Sequence, residues 1–391
     1  MLTKKAGKEV HANILGIDYA LLMLFLWLNA GIDYQLSRTG IVIKTKRNST
    51  DVRIFLIRFA FFMLWFLAAF RGLDVTNDIE SYHSFYEKVA VFGPGSVKRV
   101  EVGYVILNEV FSKLFTNNEV GFRVLIAVIT AVGYGAVEQW IERHAKSYGV
   151  CLIAYYYLID STFMSATRQM LATGIVLWAL MFLEKRNNKK SLLIYILLVL
   201  LASTFHQSAI MCAVFPLLAR LKFTRNTTIW IILFTTILTG TNAVNKIVNL
   251  VGFGTGYLTS DIGNITNVTV ISTLYVALLM LQVFMERKKE PNRDNCGKYE
   301  YDQDGFYSYA IILALAVTIM SLRAPGMSRM AMYLQIAGLP YISNTIGKIK
   351  YPKAQLVIKC VFGLAIWGYS AAALISRPEW QHLWPYHFFW D

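Results

Sequence analysis

Two ionisable side chains, Arg168 and His206, stand at the ends of apolar segments within residues 161–221, the central motif region of the chain. Leaving such a side chain in hydrocarbon costs about 2.5 kcal/mol or more, so each needs a water-filled cavity, a partner or a ligand. Arginine offers a permanently charged fork to phosphate oxygens, and histidine can take up a proton near neutral pH. The pair therefore fits a site for an anionic substrate. A snorkelling arginine and a hydrogen-bonded core histidine are the structural alternative, with equal weight on the local sequence.

Other charged and aromatic residues fall on the same membrane face in the topology set out below. They are Arg71, Asp78, Tyr82, Glu101, Arg323 and Arg329. Several arginines beside carboxylates and one histidine suit a lipid that carries a diphosphate, because charge-assisted bonds to phosphate are strong. The competing structural interpretation makes Arg71 and Arg329 membrane anchors and either Asp74 or Asp78 a helix cap. No metal-ligand spacing and no phosphate-binding glycine loop occurs, so neither a metal nor a cofactor is expected.

The composition bounds the class of protein that must position these residues. Of 391 residues, 56% are apolar and only 16% are charged, and many apolar runs reach the length of a membrane span. The runs are continuous and rich in Leu and Ile, which excludes a β-barrel. We predict an all-α polytopic integral membrane protein with residues 1–391 in a single transmembrane domain. The net charge of +14 comes from short basic clusters between apolar runs, typical of cytoplasmic loops and not of nucleic-acid binding.

Hydropathy and the basic clusters together predict about 12 transmembrane helices with both termini outside. The expected spans are approximately 14–36, 53–70, 121–140, 149–159, 166–183, 192–205, 209–221, 229–248, 270–285, 306–322, 330–349 and 356–375. The segments on either side of His206 are short. They predict two half-depth helices that meet at a polar break, which is tolerated where the backbone lines a cavity.

Two outer segments complete the predicted arrangement. Residues 71–119 form a periplasmic loop, and within it 101–115 reads as an amphipathic helix lying in the membrane interface. Its apolar stripe is Val102, Ile106, Val110 and Leu114, so Asn108 is expected on the polar, accessible side. Residues 376–391 form an aromatic periplasmic tail, which we interpret as an interfacial anchor.

The order of five short motifs resembles the EpsG-like, Wzy-type bacterial polysaccharide polymerases, over about residues 55–340. The motifs are R-x6-D-x3-Y (Arg71, Asp78, Tyr82), E-x-G-Y from Glu101, T-R-Q-M-L-A around Arg168 and Gln169, F-H-Q-S-A at His206, and R-x5-R-x3-Y (Arg323, Arg329, Tyr333). Their order, spacing and membrane side carry the resemblance together.

The resemblance implies a GT-C-like membrane glycosyltransferase that polymerises undecaprenyl-diphosphate-linked repeat units at the periplasmic face of a bacterial inner membrane. The product would be O-antigen, capsule or exopolysaccharide. Catalytic roles fall to His206, Asp78 and Glu101, with either His206 or Asp78 orienting the acceptor hydroxyl. Substrate contacts fall to Arg71, Tyr82, Arg168, Gln169, Arg323, Arg329 and Tyr333. The expected partners are the lipid-linked oligosaccharide, the bilayer, a chain-length regulator and a flippase.

Two other functions stay open on the sequence. Broken helices and membrane-embedded charges also suit a flippase or transporter of lipid-linked oligosaccharide, although no inverted repeat is visible and the polar groups gather on one face. An O-antigen ligase-like glycan transferase would share the architecture and the chemistry. The sequence leaves the sugar and the linkage undetermined.

Overall fold

The computed structural model describes residues 22–39, 42–44, 49–98, 100–186, 188–221, 223–241, 243–244, 246, 262–286, 303–324, 326–376, 382–383 and 386–391. Contacts divide the chain into two compact units. Unit one comprises Met1–Trp178, Leu200–Gln207 and Phe362–Asp391, and unit two comprises Ala179–Val199 and Ser208–Val361. The start of the first predicted span, residues 14–21, lies outside the described residues.

The first part of unit one is mainly helical. A short antiparallel hairpin of β1 and β2 is a small departure from the all-α prediction. The elements are α1 (residues 22–39), β1 (Val42–Lys44), β2 (Ser49–Asp51), α2 (Val52–Ala69), α3 (Ile79–Phe92), α4 (Val102–Leu114) and α5 (Asn118–His144). Helix α5 begins with a side-chain cap, since the Asn117 side chain accepts a hydrogen bond from the Val120 N–H at 3.2 Å. Gly93 ends α3 at a φ of 81°, a conformation that glycine adopts without strain.

A sharp bend follows α5. Helix α6 (Tyr148–Tyr155), a π-helical turn (Tyr156–Asp160) and α7 (Ser161–Ser165) run into α8 (Thr167–Arg186) with a bend of 118° at Ala166. The predicted spans 149–159 and 166–183 are therefore two arms of one bent pair. Each arm buries much of its side-chain surface, and Tyr134 of α5 donates a hydrogen bond to Asp160 at 2.8 Å.

The chain then forms the rest of the described helices. They are α9 (Lys189–Phe205), a 3₁₀ segment (Gln207–Val214), α10 (Phe215–Leu218), α11 (Arg225–Gly240), α12 (Ile262–Glu286), α13 (Gln303–Met320), α14 (Met327–Ala337), α15 (Leu339–Gly347) and α16 (Pro352–Ser376). In unit two, α13 packs against α11, α12 and α14. A buried polar network joins α12, α13 and α15, because Tyr341 donates to Gln282 at 2.5 Å and Gln282 donates to Ser308 at 3.2 Å.

Four described helices are long and apolar enough to cross a membrane, and there are five such segments if the bent pair is one span. The four are Val52–Ala69, Asn118–His144, Gln303–Met320 and Pro352–Ser376. They confirm a helical protein with several membrane-spanning segments. The predicted single span 330–349 is wrong: it is divided into α14 and α15, because Pro340 starts a new helix after Gly338. The count of 12 spans and the GT-C-like arrangement stay predictions.

The C-terminal segment is built into unit one. The Gly72 N–H donates to the His387 carbonyl at 2.7 Å, and the Phe389 N–H donates to the Phe70 carbonyl at 3.0 Å. Tyr386 adds a hydrogen bond to the Leu67 carbonyl. The described residues of the predicted tail thus close over the end of α2, which the interpretation as an interfacial anchor did not include.

Candidate active site

The start of α4 brings a carboxylate to the end of α9. Glu101 is the residue before α4, and Gly103 lies in its first turn. A side chain at position 103 would come within 2.8 Å of the Thr204 carbonyl oxygen and 2.4 Å of the Thr204 hydroxyl. Only a glycine lets the two backbones approach this closely. The E-x-G-Y motif therefore sets Glu101 beside the residues that follow Thr204.

Glu101 accepts hydrogen bonds from three groups that are far away in sequence. Arg168 donates to Oε2, while Nδ1 of His206 and the N–H of Gln207 each lie 3.3 Å from Oε1. Burial favours the neutral acid, but the hydrogen bond with His206 and the charge of Arg168 outweigh it and lower the pKa of Glu101 to about 2. Glu101 is therefore ionised at neutral pH and holds an arginine and a histidine together.

The bend at Ala166 places Arg168 in the first turn of α8. Its guanidinium lies 5.7 Å from the ring centre of Tyr82 and 6.0 Å from that of Tyr104, so two aromatic faces support the cation. The Nε atom of Arg168 is buried and has no hydrogen-bond partner among the described residues. A buried donor without a partner costs about 1–3 kcal/mol. One fifth of the Arg168 side chain remains accessible, so part of this side chain is open to a ligand although Nε itself is covered.

Arg71 lies behind this cluster and is completely buried. It donates to the Ala68 carbonyl, to the Met164 carbonyl at 3.0 Å and to the Thr167 hydroxyl at 3.2 Å. These contacts join the end of α2 to both sides of the Ala166 bend. The prediction that Arg71 contacts substrate is not supported by this position, since no part of the residue is exposed; its hydrogen bonds instead fit a residue that positions Arg168.

A core rich in tyrosine packs against the cluster of Glu101, Arg168 and His206. Tyr82, Tyr86 and Tyr104 pack with Phe122 in a cluster of buried side chains. Asn108 of α4 is 1% exposed and donates to the Tyr104 carbonyl at 2.6 Å. The expectation that Asn108 lies on the accessible side of the helix is therefore wrong. The face made by Gly103, Tyr104 and Asn108 packs inward, while the apolar stripe faces outward.

A comparison with known protein families identifies the family of this chain. A family model described as the EpsG family matches residues 54–388. The chain belongs to the EpsG family. Membership identifies a membrane protein of the polysaccharide-polymerase type, with glycosyltransferase-like polymerase activity in general terms. No curated protein and no solved structure matches the chain.

The other predicted residues of the EpsG chain are spread over both units. In unit one, Asp78 is the half-buried residue before α3, and Gln169 is buried in α8. In unit two, Arg323 is exposed and donates to the Thr239 carbonyl at 3.1 Å, Arg329 is half-buried in α14, and Tyr333 is 1% exposed. Of the predicted set, the structure brings together Glu101, Arg168, His206 and Tyr82.

Sequence reasoning missed several residues that help to hold Glu101, Arg168 and Arg71 in place. Gly103, Asn108, Arg123 and Thr167 all hold the named groups in place; Arg123, for example, donates to the Arg71 carbonyl at 2.8 Å. Gly103 carried a signal, because a glycine inside a helical pattern with no turn to make indicates a close approach. Within the described residues, no group of three metal-ligating side chains occurs, and the absence of a cofactor stays a prediction.

Proposed function

We propose that this EpsG-family protein polymerises oligosaccharide repeat units linked to undecaprenyl diphosphate, by glycosyl transfer from the lipid diphosphate to a sugar hydroxyl. The observation that carries the proposal is that one carboxylate, Glu101, binds both Arg168 and His206. The reaction needs a cation for the departing diphosphate and a base for the attacking hydroxyl. The cluster offers one of each.

His206 is the group best placed to act as the base. Its Nδ1 faces Glu101, so a proton on Nδ1 leaves the lone pair on Nε2 to accept another proton. The acceptor hydroxyl oxygen would form a bond to the anomeric carbon of the growing chain, and the hydroxyl proton would pass to Nε2. Glu101 would stabilise the resulting imidazolium. This arrangement favours His206 over Asp78, the two alternatives that the sequence left open.

Arg168 is the group that would receive the leaving diphosphate. As the bond from the anomeric carbon to the diphosphate oxygen breaks, its electron pair stays on that oxygen, and the new charge needs a donor that is already in place. The Arg168 side chain, which is held by Glu101 and is one-fifth accessible, meets this requirement. Arg323 and Arg329 belong to unit two, and their contact with the diphosphate remains a prediction from the sequence motif.

The test is polymerisation by the purified protein in lipid vesicles. The substrate is lipid-linked repeat unit extracted from producing cells that lack this gene, and the product is read as a ladder on a gel. Arg168→Lys keeps the charge but loses the fork, so we expect polymerisation to fall about a hundredfold. Arg58→Lys is the matched control, because Arg58 also pairs with a carboxylate, Glu142 at 2.9 Å, away from the cluster.

A second pair of variants tests the base. His206→Ala should lower the rate about a hundredfold or more, whereas His206→Gln keeps a hydrogen-bonding group and should do no better if proton transfer is the role. His144→Ala serves as the control, because Nδ1 of this histidine lies 2.9 Å from the Trp140 carbonyl oxygen at the end of α5, outside the cluster. Wild-type ladders from folded Arg168→Lys and His206→Ala proteins would refute the assignment.

The same assay separates the other candidate functions. Movement of the lipid-linked unit across the vesicle membrane without ladders would identify a flippase. Transfer that appears only when a lipid core acceptor is added would identify a ligase. Ladders that become uniform in length on adding a second membrane protein would support the expected chain-length regulator.

The proposed periplasmic location has its own test. A cysteine in place of Ser96, between α3 and α4, should react in intact bacterial cells with a thiol reagent that cannot cross the membrane. A cysteine in place of Asn188, between α8 and α9, should react only after the cells are opened. Labelling of the second position in intact cells would contradict the proposed orientation in the inner membrane.

A further inference from the structure

Helix α4 carries a row of apolar side chains that the protein leaves uncovered. Val102, Ile106, Val110 and Leu114 recur every fourth residue, and their exposed fractions are 61%, 52%, 44% and 68%. Residues at this spacing lie along one face of a helix. We call these four residues the α4 strip; at about 1.5 Å per residue the strip is about 18 Å long.

The strip cannot rotate inward to be covered by unit one. The opposite face of α4 is fixed by the close approach of Gly103 to Thr204, by buried Tyr104 and by the hydrogen bond from Asn108. Turning the helix would break these contacts. The strip is therefore held facing outward.

The strip is continuous with the polar cluster. Glu101, the carboxylate that binds Arg168 and His206, immediately precedes Val102, the first residue of the strip. A ligand that lies against both must have a charged or strongly polar head and a long hydrocarbon chain. The substrate of the proposed function has this chemistry, since a polyprenyl chain carries a diphosphate and sugars at one end.

We propose that the α4 strip binds the polyprenyl chain of the lipid-linked substrate while its diphosphate lies at Arg168. This inference rests on the proposed function. Lipid tails are as apolar as these side chains, so the contact adds little hydrophobic free energy. Its effect is orientation: a chain laid along α4 restricts the directions in which the diphosphate can approach the cluster, and such alignment contributes directly to rate.

Photo-crosslinking tests the proposal on the full-length protein. A benzophenone side chain is introduced at Ile106 or at Val110, and the protein is placed in phosphatidylethanolamine and phosphatidylglycerol vesicles with a trace of radiolabelled undecaprenyl diphosphate. We expect several-fold more label than at Leu28 of α1, a matched control that is also apolar and 55% exposed. Unlabelled undecaprenyl diphosphate should compete the label away, and a short-chain prenyl diphosphate should compete less well.

The outcomes separate this inference from the proposed function. Selective, competed labelling at Ile106 supports the strip as the chain site, even if the protein makes no ladders and the polymerase function fails. Ladders with equal labelling at Ile106 and Leu28 would leave the polymerase function standing and overturn the chain site. Crosslinks from Ile106 to phospholipid alone, or to a second copy of the protein, would also overturn it.

Discussion

Two carboxylates in unit one accept nearly the same set of hydrogen bonds but differ in exposure: one is buried and the other is partly accessible. Asp33 accepts from Arg53 at 2.7 Å, from the Ser147 hydroxyl at 3.0 Å and from the Gly149 N–H at 3.0 Å. Its side chain is 2% exposed, and the guanidinium of Arg53 stacks 4.5 Å from the Tyr148 ring centre. This network joins α1, α2 and α6 and has the features of a purely structural contact.

Glu101 likewise accepts from an arginine, a side chain and a backbone N–H, yet its network is open. Its side chain and those of Arg168 and His206 are about one-fifth exposed. Arg168 retains a buried donor without a partner among the described residues. The comparison teaches that the residue types do not distinguish a structural ion pair from a candidate active site; the accessibility of the charged side chains does.

Replacing each carboxylate with its amide gives the largest predicted difference. Glu101→Gln should lower polymerisation about a hundredfold, because it removes the charge that holds Arg168 and stabilises His206. Asp33→Asn should instead lower the amount of folded protein, since leaving a buried charge without its partner costs about 3–5 kcal/mol. The measurements are ladder formation per folded molecule and thermal unfolding. Loss of specific activity in folded Asp33→Asn protein would erase the distinction.

Separating Glu101 from the end of α9 should have the next largest effect. Gly103→Ala places a methyl group against the Thr204 backbone, which should cost about 1–3 kcal/mol of stability and lower the rate about tenfold as Glu101 moves from His206. Gly135→Ala is the matched control, because no atom lies within 4 Å of a side chain at that helical position. Equal behaviour of the two variants would show that the close approach does not matter.

The contact behind Arg168 should matter less. Thr167→Val removes the hydroxyl that Arg71 binds and leaves the shape unchanged, so Arg168 should be less well oriented. We expect the rate to fall by a factor of a few without a change in membrane level. Thr130→Val is the control, because the Thr130 hydroxyl donates only to carbonyls of its own helix. A wild-type rate for Thr167→Val would remove Arg71 from the positioning role.

The smallest predicted effect is the contribution of Glu101 to stability in acid. Its pKa is about 2 in the folded protein against an ordinary value of 4.5, so the ionised form stabilises the fold above about pH 4.5, and this stabilisation is lost as the pH falls toward 2. From pH 7 to pH 5 the free energy of unfolding should be about 1–3 kcal/mol larger for wild type than for Glu101→Gln, and wild type should unfold at a higher temperature. The difference should shrink below about pH 4 and vanish near pH 2. A constant difference down to pH 3 would contradict the low pKa.

Much of the fold follows from local sequence, but the breaks between helices are harder to predict. The predicted spans 53–70, 121–140, 306–322 and 356–375 each correspond to one described helix, because long apolar runs dictate helices in a membrane. The bend at Ala166 has no Pro or Gly to announce it. The division between α14 and α15 did have a signal in Gly338 and Pro340, which should have outweighed the apolar run.

The candidate active site could also be predicted only in part from the sequence. Glu101, Arg168 and His206 could be gathered from the sequence because each ends an apolar segment on one predicted face. The direction of a side chain could not: Arg71 is directed at backbone carbonyls and Asn108 at the Tyr104 carbonyl. An apolar stripe predicts which face of α4 avoids water, and in a membrane protein that face need not pack against the protein.

The C-terminal segment pairs with the end of α2, and the order of synthesis determines when this contact can form. Tyr386 and Leu67 are 319 positions apart, so the carbonyl of Leu67 is made long before its partner leaves the ribosome. Contacts at such separation form late in folding, because the intervening chain must first be ordered. The end of α2, with Arg71 and the groups that it holds, is therefore completed only when the last described residues reach it. Activity should accordingly appear only after residues 386–391 have been made and have reached α2.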